Sequence, residues 1–240
     1  MSPSATHSAP LTANDVLCYI PNLIGYGRVA LMAAALTLWL SNTAGDATTV
    51  YLATLFYIAA FAGDLIDGWV ARKLHQTSTW GGVLDMVTDR CSTAGLLVVL
   101  ATLEAYAAPM WRLIYVTLIL LDVSSHWCQM YASLACNTDG QQHHKSEEAN
   151  AGRNFLVRWF YKYYWFFGYL CVGTEFTYIL LLLWPYVGDG FAASVIKWGL
   201  RLCTPACVAK QVVNVAQLTS AAHAIAAHDA MRQNQARKGA

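Results

Sequence analysis

Four aspartates lie within one short segment of a chain that has few charged residues. Asp64 and Asp67 are three residues apart, and Asp85 and Asp89 are four residues apart, although only 12% of the residues are charged. Neighbouring anions repel one another, and two divalent cations would balance four negative charges. Oxygen ligands without histidine or cysteine favour Mg²⁺ or Mn²⁺ over Zn²⁺. The spacing therefore predicts a site for two divalent metal ions.

Helices are needed to bring the two aspartate pairs together. Residues three or four apart share one face of an α-helix. We predict one helix over about 48–67, which ends in the first pair, and another over about 82–103, which begins with the second pair. The connection from Arg72 to Trp80 is short and polar, so these helices should be antiparallel. All four carboxylates would then lie at one end of a helix bundle.

The composition predicts a polytopic membrane protein. Of 240 residues, 57% are hydrophobic, and the mean hydropathy is +0.38. Apolar stretches of about 20 residues recur, and each is long enough to cross a hydrocarbon core. The predicted fold is all-α, with six transmembrane helices over about 20–41, 48–67, 82–103, 111–135, 160–184 and 192–222.

Polar segments and basic residues give the predicted domain limits and topology. Residues 1–14 are predicted to be a disordered tail, residues 15–228 the six-helix membrane domain, residues 229–240 a C-terminal tail, and residues 137–154 a loop. Nine basic residues lie on one side of the predicted spans, against Arg112, Lys197 and Arg201 on the other. By the positive-inside rule, both termini and the aspartates should be cytoplasmic. The nine are Arg72, Lys73, Lys145, Arg153, Arg158, Lys162, Arg232, Arg237 and Lys238.

The aspartates are part of a longer pattern that resembles a family signature. Residues 64–89 read D-x-x-D-G-x-x-A-R-x8-G-x3-D-x3-D, which is similar to the signature of the CDP-alcohol phosphotransferases. The resemblance implies that Asp64, Asp67 and Asp85 bind two Mg²⁺ or Mn²⁺ ions. It also implies that Asp89 binds metal and acts as the general base towards an acceptor hydroxyl. The residues implied to bind CDP-diacylglycerol are Asn22, Gly68, Arg72, Ser78 and Gly81.

Three further segments resemble one branch of this family, the eukaryotic phosphatidylinositol synthases. These segments are 21–28, 84–93 and 121–127. The resemblance implies that CDP-diacylglycerol and myo-inositol are the substrates and that phosphatidylinositol and CMP are the products. It also implies a homodimer in the endoplasmic reticulum or Golgi membrane.

Polar residues at helical spacing on the later helices are candidates for the acceptor pocket. Those we assign to inositol are Asp122, Ser125, His126 and Lys210, with Arg153 at the cytoplasmic mouth. Intramembrane polar groups usually face the bundle interior or a water-filled cavity. Hydrogen bonding between helices explains the serine equally well and is the favoured explanation for His126. Arg153 could instead anchor the loop to anionic lipid. For Asp122 and Lys210, function or mutual pairing is favoured because both are costly to bury.

Other functions fit parts of the sequence. The same chemistry could use glycerol 3-phosphate, serine or an aminoalcohol as the acceptor. A cation transporter could use the aspartates as an ion path, but such sites usually lie at the midplane between inverted repeats, and no repeat is visible. A net charge of +1 argues against nucleic acid as a partner. Seven scattered cysteines without a CxxC pair indicate neither a disulfide framework nor a zinc site.

Overall fold

The computed structural model describes residues 10–136 and 164–239. Every regular element in these ranges is helical, which confirms the all-α prediction for the described part of the chain. Predicted features at 1–9 and 137–163, including Arg153, lie outside the described residues. The helices are α1 (Ala13–Leu17), α2 (Ile20–Ser41), α3 (Ala47–Lys73), α4 (Thr79–Thr102), α5 (Pro109–Cys136), α6 (Tyr164–Leu183) and α7 (Phe191–Lys238), with short 3-10 helices at Glu104–Tyr106 and Trp184–Tyr186.

Helix α3 is longer than predicted. We expected it to end at Asp67, but it continues to Lys73 and includes Arg72. It ends in a Schellman arrangement, in which His75 N–H donates to Arg72 O (3.4 Å) and Gln76 N–H donates to Ala71 O (2.9 Å). His75 has the left-handed φ of 54° that this cap requires. The helix therefore stops at its backbone cap and not at the aspartate pair.

Contacts at one end of α2 and α4 hold the segment between α3 and α4 in place. The backbone N–H of Ile20, at the start of α2, donates to Gln76 Oε1 (3.0 Å). Trp80 Nε1, in the first turn of α4, donates to Tyr26 Oη on α2 (3.0 Å). Ser78 caps α4, because its Oγ accepts from Gly81 N–H (3.0 Å). These bonds bring the start of α2, the end of α3 and the start of α4 to one place.

Four of the described helices are long and apolar enough to span a membrane. They are Ile20–Ser41, Ala47–Lys73, Pro109–Ala135 and Trp165–Tyr186. Among the described residues, α4 and α7, which contain two further predicted spans, do not meet this criterion of length and apolar composition. Helix α4 carries charged residues in its first half, and α7 has 48 residues. At 1.5 Å per residue, α7 is about 72 Å long, more than twice the roughly 30 Å of a hydrocarbon core.

The chain forms two compact units. The N-terminal unit ends at Ser92, and the C-terminal unit begins at Thr93, within α4. In the N-terminal unit α2 packs on α3, around buried side chains such as Ala35, Val50 and Tyr57. In the C-terminal unit α5 and α6 pack on α7, with Leu170 and Ala206 in the core.

The contact between α6 and α7 depends on a residue without a side chain. A Cβ atom on Gly173 would lie 2.6 Å from Ala206 Cβ and 3.7 Å from Cys203 O. Because Ala206 Cβ is fixed to the α7 backbone, it can move only if the helix moves. Gly173 therefore determines how closely α6 approaches α7.

We expect Gly173→Ala to destabilise the protein by about 1–3 kcal/mol, the usual cost of overpacking a core. Gly168→Ala is the matched control on the same helix, because a Cβ there meets nothing within 4 Å. That change should stabilise the protein by up to about 1 kcal/mol through helix propensity. Thermal unfolding in one detergent would compare the variants. Equal melting temperatures for the two variants would contradict the packing argument.

Candidate active site

The N-terminal unit brings all four predicted aspartates together. Asp64 and Asp67 lie in the last turns of α3, and Asp85 and Asp89 lie in the first turns of α4. Oxygen atoms of Asp64, Asp67 and Asp85 lie within 4.8 Å of one another. Asp67 is buried, whereas the other three side chains are 24–30% exposed. The four-carboxylate cluster therefore forms at one helix end, as the sequence predicts, and is accessible from outside the core.

A single arginine from α2 contacts all four carboxylates. Arg28 Nη1 lies 2.6 Å from Asp67 Oδ2 and 3.0 Å from Asp85 Oδ1. Arg28 Nη2 lies 2.6 Å from Asp89 Oδ1 and 3.1 Å from Asp64 Oδ1. Arg28 Nε donates to the backbone oxygen of Ala60 on α3 (3.2 Å). The guanidinium is thus held on both edges, and the residue is only 3% exposed.

Two glycines create the space in which this arginine lies. A Cβ on Gly63 would lie 2.8 Å from Arg28 Cγ, in the stem of the side chain. A Cβ on Gly25, one turn before Arg28 on α2, would lie 2.8 Å from Leu84 Cδ2 on α4. Helix α2 can therefore approach both α3 and α4 closely enough for Arg28 to reach all four carboxylates.

The donor set fits a hard divalent cation. It consists of carboxylate oxygens, which Mg²⁺ and Mn²⁺ prefer. When all four aspartates are ionised, the Arg28 charge leaves three negative charges uncompensated. A group of four carboxylates with an excess of negative charge is suited to bind one or more divalent cations.

The residues predicted to bind the nucleotide lipid surround the same helix ends. Asn22 is buried on α2, and its Nδ2 donates to Val16 O (2.6 Å). A Cβ on Gly81 would lie 2.9 Å from Asn22 Oδ1 and 3.2 Å from Ser78 Oγ. Gly81 therefore allows these two polar groups to lie close to the start of α4.

Arg72 and Gly68 follow the first aspartate pair on α3. Arg72 is exposed in the last turn of α3. A Cβ on Gly68 would lie 3.5 Å from Arg72 Nη1, so the guanidinium lies over the glycine. An exposed guanidinium beside a carboxylate cluster is suited to bind phosphate oxygens in bidentate fashion.

The C-terminal unit contains a separate group of buried polar side chains. Lys210 Nζ on α7 donates to Asn214 Oδ1 (2.5 Å), and Asn214 Nδ2 donates to Asp122 Oδ1 on α5 (3.4 Å). His126 Nδ1 lies 2.8 Å from Asp122 O, and Ser125 Oγ donates to the same oxygen (3.0 Å). The structure therefore brings together four of the five residues predicted for an acceptor pocket, while Arg153 lies outside the described residues.

A model of one protein family matches residues 18–227 and is described as CDP-alcohol phosphatidyltransferase. This match covers most of the chain and includes both units. The chain belongs to the CDP-alcohol phosphatidyltransferase family. The aspartate cluster and the polar group on α5 and α7 both lie within the matched residues.

Curated relatives match this member of the family over nearly their whole length. A Saccharomyces cerevisiae protein named CDP-diacylglycerol–inositol 3-phosphatidyltransferase is 36% identical over 98% of this chain and 99% of its own. An Arabidopsis thaliana protein named as a probable enzyme of that type is 36% identical over 92% and 95%. The human protein of the same name is 33% identical over 90% and 95%. No solved structure matches the chain.

Sequence analysis did not predict the contacts of Arg28. It identified Arg28 only within a segment that resembles one branch of the family. A usable signal was present, because a charged residue inside an otherwise apolar span must find a partner. The four aspartates of the signature at 64–89 were the obvious candidates.

Proposed function

We propose that this protein transfers the phosphatidyl group of CDP-diacylglycerol to myo-inositol, giving phosphatidylinositol and CMP. The observation that carries the proposal is the four-aspartate cluster at the end of α3 and α4, in a member of the CDP-alcohol phosphatidyltransferase family. The names of the relatives, which match nearly the full chain, support inositol as the acceptor.

The aspartate cluster would hold two Mg²⁺ or Mn²⁺ ions. We assign Asp64, Asp67, Asp85 and Asp89 as ligands. Oxygens of the first three lie within 4.8 Å of one another, Asp89 shares Arg28 with them, and carboxylates are hard donors. Bound ions of this kind neutralise the charge of a diphosphate and stabilise a leaving phosphate. Four carboxylates and one guanidinium are close to neutral with two divalent ions bound, which suits a site that accepts an anionic nucleotide.

Asp89 is the proposed general base. Its carboxylate is about a quarter exposed and lies in the first half of α4, so an acceptor hydroxyl can approach it. As the base it takes the proton of that hydroxyl while the oxygen attacks the β-phosphorus, the one that carries the diacylglycerol, and CMP leaves. Arg72 binds phosphate oxygens, and Gly68 and Gly81 leave room for the nucleotide beside Asn22 and Ser78.

Acceptor recognition is assigned to the polar group on α5 and α7. Lys210, Asn214 and Asp122 form a hydrogen-bonded chain in which one positive and one negative charge balance. Buried Glu175 on α6 adds a second carboxyl group to the same unit and accepts a hydrogen bond from Thr93 Oγ1. A set without excess positive charge favours a neutral polyol over an anionic acceptor such as glycerol 3-phosphate. This charge balance supports myo-inositol.

The proposal extends to the membrane topology, assembly and location of the protein. The four described helices that are long and apolar enough to span a membrane support an integral membrane protein. We propose six membrane crossings with both termini in the cytoplasm, a homodimeric assembly, residence in the endoplasmic reticulum or Golgi membrane, and an active site that faces the cytoplasm. Lys73 and Arg72, at the end of α3 that carries the aspartates, agree with the cytoplasmic side.

The test of the function is CMP release by purified protein supplied with CDP-diacylglycerol and one acceptor at a time. We expect release with myo-inositol and a divalent cation, and none with chelator. Release with serine, glycerol 3-phosphate or an aminoalcohol instead would keep the chemistry but reject the acceptor. An absence of release with every acceptor would reject the transferase function.

Asp89→Asn should remove nearly all turnover, because it keeps the shape of the side chain and loses the base. Loss of one positioned general base typically costs 10²–10⁴-fold in rate. Asp46→Asn is the matched control, since Asp46 caps α3 through Thr48 and Thr49 and asparagine caps equally well. Comparable kcat values for Asp89→Asn and the control would reject Asp89 as the base.

Lys210→Met should raise the KM for inositol and leave the KM for CDP-diacylglycerol nearly unchanged. Lys210 is buried and donates to Asn214, and the variant removes this donor while keeping the length of the side chain. Lys197→Met is the control. Lys197 lies on the same helix but outside the polar group, with its Nζ 5.5 Å from the centre of the Trp184 ring. Equal effects on both KM values would indicate a general packing defect and contradict the acceptor assignment.

A further inference from the structure

We propose that Arg28 is a built-in counter-cation: it holds the four carboxylates together in the metal-free protein and competes with divalent cations for their oxygens. This inference rests on the proposed assignment of metal ions to Asp64, Asp67, Asp85 and Asp89. It assigns a positioning role to a residue on α2, outside the aspartate signature.

The contact pattern is that of a shared cation and not of an ordinary ion pair. Each terminal nitrogen of Arg28 contacts one carboxylate from α3 and one from α4. One guanidinium therefore links both aspartate pairs. Its Nε is used separately, in the bond to Ala60 O, which fixes the plane of the group between the two helices.

A metal ion bound by this cluster would need the oxygens on which Arg28 lies. The contacts to Asp67 Oδ2 and Asp89 Oδ1, at 2.6 Å, are charge-assisted hydrogen bonds at the short end of their range. An oxygen that accepts such a bond is a weaker ligand, and the positive charge repels an incoming cation. Binding of divalent ions must therefore loosen at least part of the Arg28 contacts.

Arg28 also keeps the ligands assembled before any ion binds. Without a cation, two carboxylates on α3 and two on α4 would repel one another in a partly buried site. With Arg28 in place, an arriving ion meets four ligands that are already close together. The same residue thus stabilises the metal-free fold and lowers the apparent affinity for metal.

The experiment measures metal binding and stability in full-length detergent-solubilised protein, without an activity assay. Mn²⁺ titration followed by electron paramagnetic resonance gives the Kd, and thermal unfolding in chelator or in Mn²⁺ gives the metal-dependent rise in melting temperature. For Arg28→Gln we expect a lower melting temperature in chelator and a larger rise with Mn²⁺ than for the wild type. We also expect the Kd to fall roughly tenfold or more, as loss of a competing charge-assisted hydrogen bond would give.

Arg28→Lys should fall between the wild type and Arg28→Gln, because lysine keeps the charge but loses the planar fork. If Arg28→Gln is unfolded in chelator, Mn²⁺ should restore its folding, which also supports the proposal. An unchanged or weaker Mn²⁺ affinity, or equal metal-dependent stabilisation in all three proteins, would overturn it.

A second variant tests the same idea without removing any charged group. Gly63→Ala places a Cβ 2.8 Å from Arg28 Cγ, so the arginine stem must shift away from the cluster. Its metal-dependent rise in melting temperature should exceed that of the wild type. Gly27→Ala is the matched control on α2, because a Cβ there meets nothing within 4 Å, and it should behave like the wild type. An equal rise in both glycine variants would contradict the role of Arg28.

The outcomes separate this inference from the proposed function. If wild-type protein binds no Mn²⁺, the metal assignment fails and the competition fails with it. If the wild type binds Mn²⁺ but the Arg28 and Gly63 variants respond like it, only the counter-cation role is rejected.

Discussion

The N-terminal unit depends on the neutralisation of four carboxylates that lie at one place. Two unit charges about 4 Å apart repel by roughly 4 kcal/mol at an effective dielectric constant near 20. Four such groups form several repelling pairs, and the total is comparable with the 5–15 kcal/mol by which a typical domain is stable. Arg28 supplies one positive charge from α2 and offsets part of this repulsion, because it contacts all four carboxylates.

The Arg28 contacts explain several other features of the unit. Helix α2 must approach α3 and α4 closely, which the glycines at 63 and 25 permit. The end of α3 and the start of α4 must stay close to the start of α2, and the hydrogen bonds accepted by Gln76 and Tyr26 hold them there. The left-handed His75 closes α3 so that the chain turns at once towards α4. Each feature serves to keep helix ends together around one charged group.

The parts of this arrangement that follow from residue spacing could be predicted from the sequence. The spacing of the aspartates and the short connection at 72–80 predicted that the four carboxylates would meet at the helix ends, and the structure brings them together there. The end of α3 could not be predicted in this way, because aspartates followed by glycine resemble a helix terminus. The helix continues to Lys73 since its actual stop is a backbone cap at 74–76, which is set by φ at His75 and not by residue type.

The chemistry of the guanidinium explains why this residue is an arginine. A lysine ammonium has three donors around a single point, and it could not reach the oxygens of four carboxylates on two helices. The planar guanidinium has donors on separate edges, so it contacts α3 and α4 at the same time while Nε binds the α3 backbone. The sequence did not reveal this role, because it depends on a geometric fit. The guanidinium of Arg28 on α2 fits the positions of carboxylate oxygens that α3 and α4 determine. Such a match depends on three helices at once, and the spacing within any one of them does not reveal it.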